Sequence, residues 1–155
     1  MIRFAEKKDI PRILALLSQV LEVHAKGRPD IFISGTTKYS EGELEGKLND
    51  ENNPIFVFAD EEDTVQGYAF CNIEPPPPTQ NMHPFTTLYI DDICVDERHR
   101  RQHIAQSLYA ACVDYGKKKS CYHITLNVWA LNDGAQAFYE AMGMKPLKTV
   151  MEQIL

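Results

Sequence analysis

The 155 residues are within the usual size of one domain, and we predict a single domain over residues 1–155. Apolar residues make up 44% and charged residues 25%, which is typical of a globular protein with a buried core and excludes large-scale disorder. The 22 acidic and 16 basic residues give a net charge of −6, which argues against a nucleic-acid partner because such binding depends on Lys and Arg.

The sequence shows neither a signal-peptide pattern nor a run of 18 apolar residues, so we expect a cytoplasmic location and no membrane partner. The four cysteines form no CxxC pair, and we expect buried free thiols at Cys71, Cys94, Cys112 and Cys121. His99 and His103 have the four-residue spacing of a metal pair, but flanking cations and the lack of a third ligand lead us to expect no metal.

Hydrophobic spacing in the first half of the chain predicts two helices and then a β-hairpin. Apolar residues recur every three or four positions from Asp9 to Gly27, which is the spacing of an amphipathic helix. Ser40 and Glu43 match a capping box at the start of a second helix. The predicted strands are residues 2–5, 55–59 and 65–73, and an acidic turn joins the last two.

Residues 88–95 form the most informative predicted strand. Leu88 and Ile90 are two positions apart, as are Ile93 and Val95, but the step between the two pairs is three. One extra residue near Asp91 and Asp92 accounts for this change of phase, as a β-bulge does. Before this strand, the prolines at 75–78 favour a stiff connector over a docking site for a proline-reading domain.

The second half of the chain predicts two further helices that alternate with strands. Apolar spacing predicts a helix from Ile104 to Tyr115 and an alternating strand at residues 123–129. Asn132 is the predicted cap of a last helix that ends at Gly143, and residues 144–155 are expected to supply at least one more strand. This order predicts an α/β fold with a mixed, partly antiparallel sheet.

The basic loop between residues 98 and 103 has the strongest chemical signal. It follows a strand and opens a helix, whose N-terminus presents free N–H groups and a partial positive charge. Arg98, Arg100 and Arg101 add full charges, so the segment suits a phosphate or pyrophosphate. A solvated basic loop is the alternative, and the residues alone leave both interpretations open.

This segment resembles the pyrophosphate-binding motif of the Gcn5-related N-acetyltransferases (GNAT), Gln/Arg-x-x-Gly-x-Gly/Ala. Arg100 takes the first place and Ala105 the last, whereas Arg101 and His103 stand where the family often has glycine. The resemblance continues through Asn127, Asn132, Ala135, Phe138, Tyr139, Glu140, Gly143 and Met144, which match the family's fourth-helix signature. It implies an α/β fold with a mostly antiparallel central sheet, a parallel splayed pair of strands and four flanking helices.

The resemblance also implies an activity, the transfer of an acetyl group from acetyl-CoA to a primary amine. Pantetheine would pair with the main chain of Ile93, Cys94 and Val95, and the pyrophosphate would rest on Arg100, Arg101, Gln102, His103, Ile104 and Ala105. Asn132 would contact pantetheine or a water molecule. Tyr139 would protonate the departing thiolate, since a phenol with a pKa of about 10 is protonated at neutral pH. A core aromatic residue is the alternative for Tyr139.

Direct attack by the amine needs a base, because an amine such as lysine has a pKa near about 10.4. Asp91 and Asp92 lie at the predicted bulge, and paired carboxylates can raise the pKa of one partner. Adjacent strand residues point to opposite faces, so one of the two is expected to line the site unless the bulge redirects them. A base acting through water and three weaker candidates remain: Glu22, His24 and Glu74.

Two residues, His103 and Cys94, bear on the expected chemistry. Histidine at position 103 can replace the motif glycine if its φ is negative and its side chain turns outward, at some cost to CoA binding. Cys94 is a poor candidate for a covalent intermediate because it lies within a strand.

The acceptor pocket is expected along residues 20–40, and the candidate substrate-binding residues are His24, Arg28, Tyr89 and Asn127. The substrate would be a small-molecule or peptide amine. The short segment after Gly143 leaves a sheet edge open for pairing in a homodimer. Rival interpretations are a CoA-binding module that has lost turnover, a nucleic-acid binder, and an aminoacyl-tRNA-modifying relative, which would need a basic face that is not evident.

Overall fold

The computed structural model describes residues 1–155 and shows a five-stranded mixed sheet with helices packed on it. The elements, in chain order, are β1 (Ile2–Phe4), α1 (Ile10–Gly27), α2 (Glu41–Lys47), β2 (Ile55–Ala59), β3 (Val65–Glu74), β4 (Thr87–Val95), α3 (Ile104–Lys118), β5 (His123–Leu126) and α4 (Asp133–Ala141). Short 3-10 turns precede α1 and α3. No helix combines the length and apolar character that crossing a membrane requires.

The strands lie side by side in chain order, with β1 to β4 antiparallel and β4 to β5 parallel. The predicted fold class, a mostly antiparallel sheet with one parallel pair and four helices, is therefore confirmed. The predicted capping box of α2 is also present, because the Ser40 hydroxyl accepts a 3.2 Å hydrogen bond from the Glu43 N–H and the Glu43 carboxylate accepts from the Ser40 N–H.

Two hydrophobic clusters hold the layers together, one on each face of the sheet. The cluster under α1 and α2 includes Ile13, Leu16, Leu44, Tyr68 and Phe70. The cluster under α3 is formed by residues of β2, β3, β4 and α3: Phe56, Ala69, Cys71, Leu88, Ile90, Ile104, Leu108, Cys112 and Tyr115. Both faces of the central strands are thus buried, which is why their sequences are apolar nearly throughout.

The predicted bulge in β4 is present at Asp91. Phe70 of β3 pairs with Asp92 and the next residue, Cys71, pairs with Ile90, so Asp91 is the extra residue. Leu88 and Ile90 before the bulge pack in the α3 cluster, and Ile93 and Val95 after it pack against the same cluster. The three-residue step in the sequence therefore keeps the apolar residues on one face across the insertion.

Two predictions for the end of the chain are wrong. The predicted strand at residues 123–129 stops at Leu126, because β4 and β5 separate beyond that residue. The strand expected within residues 144–155 is absent, since those residues have no regular secondary structure. A strand needs a neighbouring edge to pair with, and this segment pairs with none in its own chain.

Gly67 lies where β3, β4 and α3 approach one another closely. A Cβ atom there would lie 2.8 Å from the Cys94 carbonyl oxygen and 3.2 Å from side-chain atoms of Ile104 and Leu108. We expect Gly67→Ala to lower the free energy of unfolding by about 1–3 kcal/mol through overpacking. Gly46→Ala in α2 is the matched control, because its Cβ meets nothing within 4 Å.

The control should raise stability by about 0.5–1 kcal/mol, since alanine favours a helix over glycine. Urea unfolding followed by circular dichroism measures both variants. Equal effects of the two substitutions would contradict the close approach at Gly67.

Candidate functional site

A gap opens in the sheet where β4 and β5 separate. The two strands pair from Thr87 with His123 to Ile90 with Leu126, and β4 then continues to Val95 without β5 beside it. The Asn127 amide donates a 3.1 Å hydrogen bond to the Tyr89 hydroxyl close to the point of separation. The main chain of residues 91–95 therefore presents a free edge toward the gap, to which an extended, amide-containing ligand can pair as an added strand.

Both predicted catalytic carboxylates lie on the α1 side of β4. Asp91 accepts hydrogen bonds from the Lys38 ammonium, 2.8 Å from each carboxylate oxygen, and from the Tyr39 hydroxyl at 2.9 Å. Asp92 accepts a 2.6 Å hydrogen bond from the Tyr68 hydroxyl. The bulge has redirected one of two neighbouring side chains, so the expectation that a regular strand would separate them does not apply here.

Asp92 and Tyr139 have pKa values shifted in ways that suit proton transfer. Burial raises the pKa of Asp92 to about 6, against the opposing effect of the Tyr68 hydrogen bond. Burial also raises the pKa of Tyr139, and the negative charge of Asp92 is the next contribution. Asp92 is therefore a carboxyl that titrates near pH 6, and the Tyr139 phenol stays protonated at neutral pH.

The basic loop is anchored by Asp96, a carboxylate with no exposed surface. It accepts hydrogen bonds from the Arg98 N–H and guanidinium and from the Arg12 guanidinium. These cations, with Arg98 the largest contribution, hold the pKa of Asp96 well below its usual range. Arg98, predicted to supply charge for an anion, pairs with Asp96 but stays 69% exposed, and Arg100 and Arg101 are also exposed.

The loop has left-handed backbone at both places where the motif has glycine. Arg101 has φ of 65° and His103 has φ of 59°, while Gln102 between them is not in this region. The condition set for His103, a negative φ, is not met, although its side chain is exposed and its Nδ1 lies 3.1 Å from the Gln106 amide oxygen. Side chains rarely adopt this conformation, so the loop keeps a glycine-type path at an energetic cost.

The loop also provides unpaired donors. The N–H groups of residues 100–103 donate no main-chain hydrogen bond, and Ile104 starts α3 immediately afterwards. Changes between positive and negative φ turn successive N–H groups toward one side, which forms an anion-binding concavity. A groove of about 370 Å³ extends from Arg100 and Glu97 along one side of α1. Unpaired donors, two free arginines and an adjoining groove fit a phosphate-bearing cofactor such as coenzyme A.

Three rings, from α1, the α1–α2 connection and the segment after β5, cluster together. His24 and Phe32 have ring centroids 5.0 Å apart, and Phe32 and Trp129 are also 5.0 Å apart. Burial, with a smaller contribution from Lys38, lowers the pKa of His24, so its ring is neutral near pH 7. Arg28, a predicted substrate-binding residue, instead pairs with Asp30 and Glu152.

The other predicted residues are placed as follows. Asn132 caps α4, because its side-chain oxygen accepts a 3.0 Å hydrogen bond from the Ala135 N–H. Glu22 binds Ser34 and Gly35 within the α1–α2 connection, away from the two aspartates. Glu74 is the last residue of β3, opposite Thr87 and before the bulge.

Three residues at the site escaped the sequence reasoning: Lys38, Tyr68 and Trp129. Tyr68 reaches Asp92 through the pairing of β3 with β4, and Lys38 reaches Asp91 from the connection between α1 and α2. Only the alternation of β3 could have indicated Tyr68. Its hydrogen bond to Asp92 depends on the register between β3 and β4, which the sequence of one strand does not reveal.

Comparison with known proteins agrees with this geometry. The model of the acetyltransferase (GNAT) family matches residues 18–144. A variant of the BH1408 protein of Bacillus halodurans is 34% identical, with a TM-score of 0.95 over 100% of this chain and 99% of that chain. No curated protein matches the sequence.

Two more distant structures share the fold. Glucosamine-6-phosphate N-acetyltransferase from Arabidopsis thaliana is 20% identical, with a TM-score of 0.73 over 99% of this chain and 97% of its own. Aminoglycoside N-acetyltransferase AAC(6')-Iy, solved in complex with CoA, is 18% identical, with a TM-score of 0.73 over 100% and 98%.

The left-handed backbone at position 103 leads to a test of loop strain. His103→Gly removes a strain of about 1–2 kcal/mol but adds freedom to the unfolded chain worth about 0.4–1 kcal/mol. We expect the free energy of unfolding to stay level or rise by up to about 1.6 kcal/mol. Gln102→Gly, the matched control, has no such strain to relieve and should lower it by about 0.4–1 kcal/mol.

Thermal and urea unfolding of the two variants measure the difference. An equal loss in both variants would show that His103 is not strained. Titration calorimetry with CoA on the same samples reports whether the glycine also strengthens binding.

Proposed function

Because the chain belongs to the acetyltransferase (GNAT) family, we propose that it transfers an acetyl group from acetyl-CoA to a primary amine of a small molecule or peptide. The observation that carries the proposal is the free edge of β4 at residues 91–95, which carries the Asp92 carboxyl. An edge of this kind holds an extended ligand, while Asp92 accepts a proton and the Tyr139 phenol of α4 donates one.

In this proposal the chain holds acetyl-CoA with main chain more than with side chains. Ile93, Cys94 and Val95 pair with the pantetheine amides, and the N–H groups from Arg100 to Ala105 bind the pyrophosphate, with charge from Arg100 and Arg101. Bound acetyl-CoA supplies a thioester, which is activated toward an amine and releases a thiol. Asn132 acts by fixing the start of α4, which carries Tyr139.

Asp92 is the proposed general base. Its pKa of about 6 leaves it ionised at neutral pH yet basic enough to take a proton from an incoming ammonium. Asp91 is the second carboxylate at the site and is proposed to attract that ammonium in competition with Lys38, its partner in this structure. The acidic pair thus separates the roles of binding and proton transfer.

Tyr139 is the proposed general acid. Its raised pKa keeps the phenol protonated across the working pH range, so it can donate to the sulfur as the thiol leaves. Direct attack is favoured over a covalent enzyme intermediate, because burial raises the pKa of Cys94 to about 12 and its thiol faces the Leu16 carbonyl oxygen.

The acceptor pocket, in this proposal, lies between the α1–α2 connection and β5. His24, Phe32 and Trp129 give it an aromatic wall, and Tyr89 and Asn127 form its floor where the strands separate. The amine enters toward Asp91. Arg28 supports the wall through its ion pairs and does not bind the substrate directly.

The proposal also covers the domain organisation, cellular location and assembly of the protein. Residues 1–155 would act as one domain. Three thiols packed in the core, at Cys71, Cys94 and Cys112, suit the reducing cytoplasm. The homodimer predicted from the short C-terminal segment is kept as a proposal.

The test of function combines cofactor binding with turnover. We expect calorimetric titration with acetyl-CoA to show micromolar binding, and thiol release to identify an acceptor from a panel of primary amines. Tyr139→Phe should lower kcat by about 10²–10⁴-fold and leave the CoA affinity unchanged, because it removes only the proton donor. The matched control is Tyr109→Phe, whose ring lies 6.4 Å from that of Tyr139 and should keep turnover.

Binding of acetyl-CoA without turnover on any amine would favour the alternative function, a CoA-binding module of the same fold. Absence of binding would overturn the proposal itself.

The pKa of Asp92 leads to a pH prediction. We expect the Asp92 carboxyl carbon to titrate near pH 6 by NMR, and kcat/KM to rise with pH through the same range because the base must be ionised. Asp92→Asn should remove this limb and lower kcat/KM by about 10²–10⁴-fold. Asp91→Asn should keep this rise of kcat/KM with pH. If the rise is lost in Asp91→Asn but kept in Asp92→Asn, the base is Asp91.

A further inference from the structure

Lys38 brings a primary amine to the free edge of β4. Its ammonium lies 2.8 Å from each carboxylate oxygen of Asp91, the bulge residue at which that edge begins. Three other lysines also form ion pairs, but none of their carboxylate partners belongs to β4. Among the lysines that form ion pairs, Lys38 is therefore the one whose nitrogen lies at the candidate site.

The residues beside Lys38 fix the position from which its side chain reaches Asp91. The Tyr39 hydroxyl donates a 2.9 Å hydrogen bond to the same carboxylate, and the Tyr39 ring packs on Phe70 with centroids 5.4 Å apart. Ser40, the next residue, caps α2. An amine attached to such an anchored segment does not have to be captured from solution, so little further entropy is lost when it reacts at the site.

The ion pair leaves the nitrogen of Lys38 free to move. The Lys38 side chain is 47% exposed and that of Asp91 15% exposed, and a pair with one half-exposed partner contributes little stability. The Lys38 charge also acts on Asp92, where it opposes the rise in pKa that burial causes. Both carboxylates of the bulge thus interact with an ammonium that can leave its present position.

The proposed course of acetyl-CoA leads its thioester toward the same residues. The pyrophosphate loop follows β4, and the pantetheine amides are proposed to pair first with Val95 and then with Ile93. The cofactor would therefore run along β4 toward the start of that strand. Its sulfur and acetyl group follow the pantetheine, so they come next to the bulge at residues 91–92, where Lys38 is held.

We propose that the chain acetylates its own Lys38 with bound acetyl-CoA, within a single molecule. This inference rests on the proposed function for its cofactor and its proton donor. One proton of the Lys38 ammonium passes to Asp92, the nitrogen bonds to the thioester carbonyl carbon, and the carbon–sulfur bond breaks. The sulfur takes the phenol proton of Tyr139, and the phenolate takes the second proton that the nitrogen loses as it becomes an amide. The products are acetyl-lysine, the CoA thiol and the proton that Asp92 releases.

Acetylation changes what Asp91 offers to an external amine. The neutral amide of acetylated Lys38 forms no ion pair, so Asp91 would keep the Tyr39 hydrogen bond and lose its cation. A cationic acceptor would then no longer compete with Lys38 for this carboxylate. Self-acetylation therefore prepares the site for a second amine without altering the pyrophosphate loop.

The first experiment incubates the purified chain with acetyl-CoA in a buffer without amines. We expect thiol release that stops once it is equimolar with the chain, and peptide mass spectrometry should place the acetyl group on Lys38. Lys7 is the internal control for chemical acetylation, since it is 77% exposed and also pairs with a carboxylate, that of Glu45. Lys38 should react about 10²-fold faster than Lys7, because a positioned base and acid assist it alone. Equal rates at the two lysines would overturn the proposal.

Two variants separate enzymatic transfer from chemical reactivity of Lys38. Lys38→Arg keeps a cation for Asp91 but removes the amine nucleophile, so the equimolar thiol release should disappear. Tyr139→Phe removes the proton donor and should slow acetylation of Lys38 by about 10²–10⁴-fold, while that of Lys7 stays unchanged. A Lys38 rate that does not change in Tyr139→Phe would contradict acetylation by the site.

A mixture of the two variants tests whether the transfer occurs within one molecule. Tyr139→Phe chains carry Lys38 without the proton donor, and Lys38→Arg chains carry the donor without the acceptor. We expect Lys38 to stay unacetylated in this mixture, and the rate in the unmodified chain to be independent of protein concentration. Rapid acetylation of Lys38 in the mixture would show transfer between chains and overturn the proposal.

The effect on Asp91 is measured once an external acceptor is found. Lys38→Gln resembles the acetylated residue, and its KM for a cationic acceptor should be about 2–5-fold lower than that of Lys38→Arg. Equal KM values in the two variants would overturn this consequence.

Acetyl-CoA calorimetry and an acceptor assay keep self-acetylation distinct from the proposed function. Turnover of an external primary amine with Lys38 left unmodified would overturn self-acetylation alone. Acetylation of Lys38 without turnover of any amine in the panel would support self-acetylation and overturn transfer to an external amine. Absence of acetyl-CoA binding would overturn both.

Discussion

The bulge at Asp91 is the constraint on which the site depends. β3 pairs with β4 on both sides of the extra residue, so the insertion changes the course of β4 without ending it. A bulge increases the local twist, and β5 follows β4 only up to Ile90. The same insertion brings Asp91 and Asp92 to one side of the sheet and leaves the main chain beyond them free. One added residue therefore accounts for the gap, the position of its acidic groups and the edge along which a ligand can lie.

The basic loop keeps left-handed backbone at two positions although Arg101 and His103 stand in place of the motif's glycines. Asp96 fixes the start of the loop through Arg12 and Arg98, and Ile104 fixes its end in the core under α3. Between these anchors the chain must turn toward the helix axis, which requires left-handed φ at Arg101 and His103. The anchors impose that geometry and the side chains tolerate it, so the N–H groups remain free to bind an anion.

Local patterns explain why much of this fold could be predicted from the sequence. The step of three between Ile90 and Ile93 indicates the bulge, and Ser40 with Glu43 indicates a helix start, because each depends on neighbours in the chain. The ion pairs of Lys38 with Asp91 and of Arg98 with Asp96 could not be predicted, since they depend on tertiary packing and on which of several cations is nearest. The sign of φ at His103 likewise follows from the loop's anchors and not from histidine itself. The strand expected within residues 144–155 is absent, because a strand also needs a neighbouring edge, and that depends on tertiary packing.

The width of the gap between β4 and β5 then depends on the contacts made at the outer edge of β5. This strand has four residues, pairs on one side and precedes a helix without a fully buried residue, so few contacts fix its position relative to β4. Regions with few buried contacts open most easily in native proteins. The opposite wall, β4, is held by β3 and by both hydrophobic clusters and does not share this freedom. A strand added to the outer edge of β5 would restrict the mobile wall alone, and because Asn127 and Trp129 follow that wall, such restriction would act on the acceptor pocket before it acts on the pyrophosphate loop. A partner strand at this edge would thus link assembly to substrate recognition, while the proposed cofactor loop is anchored by contacts within one chain.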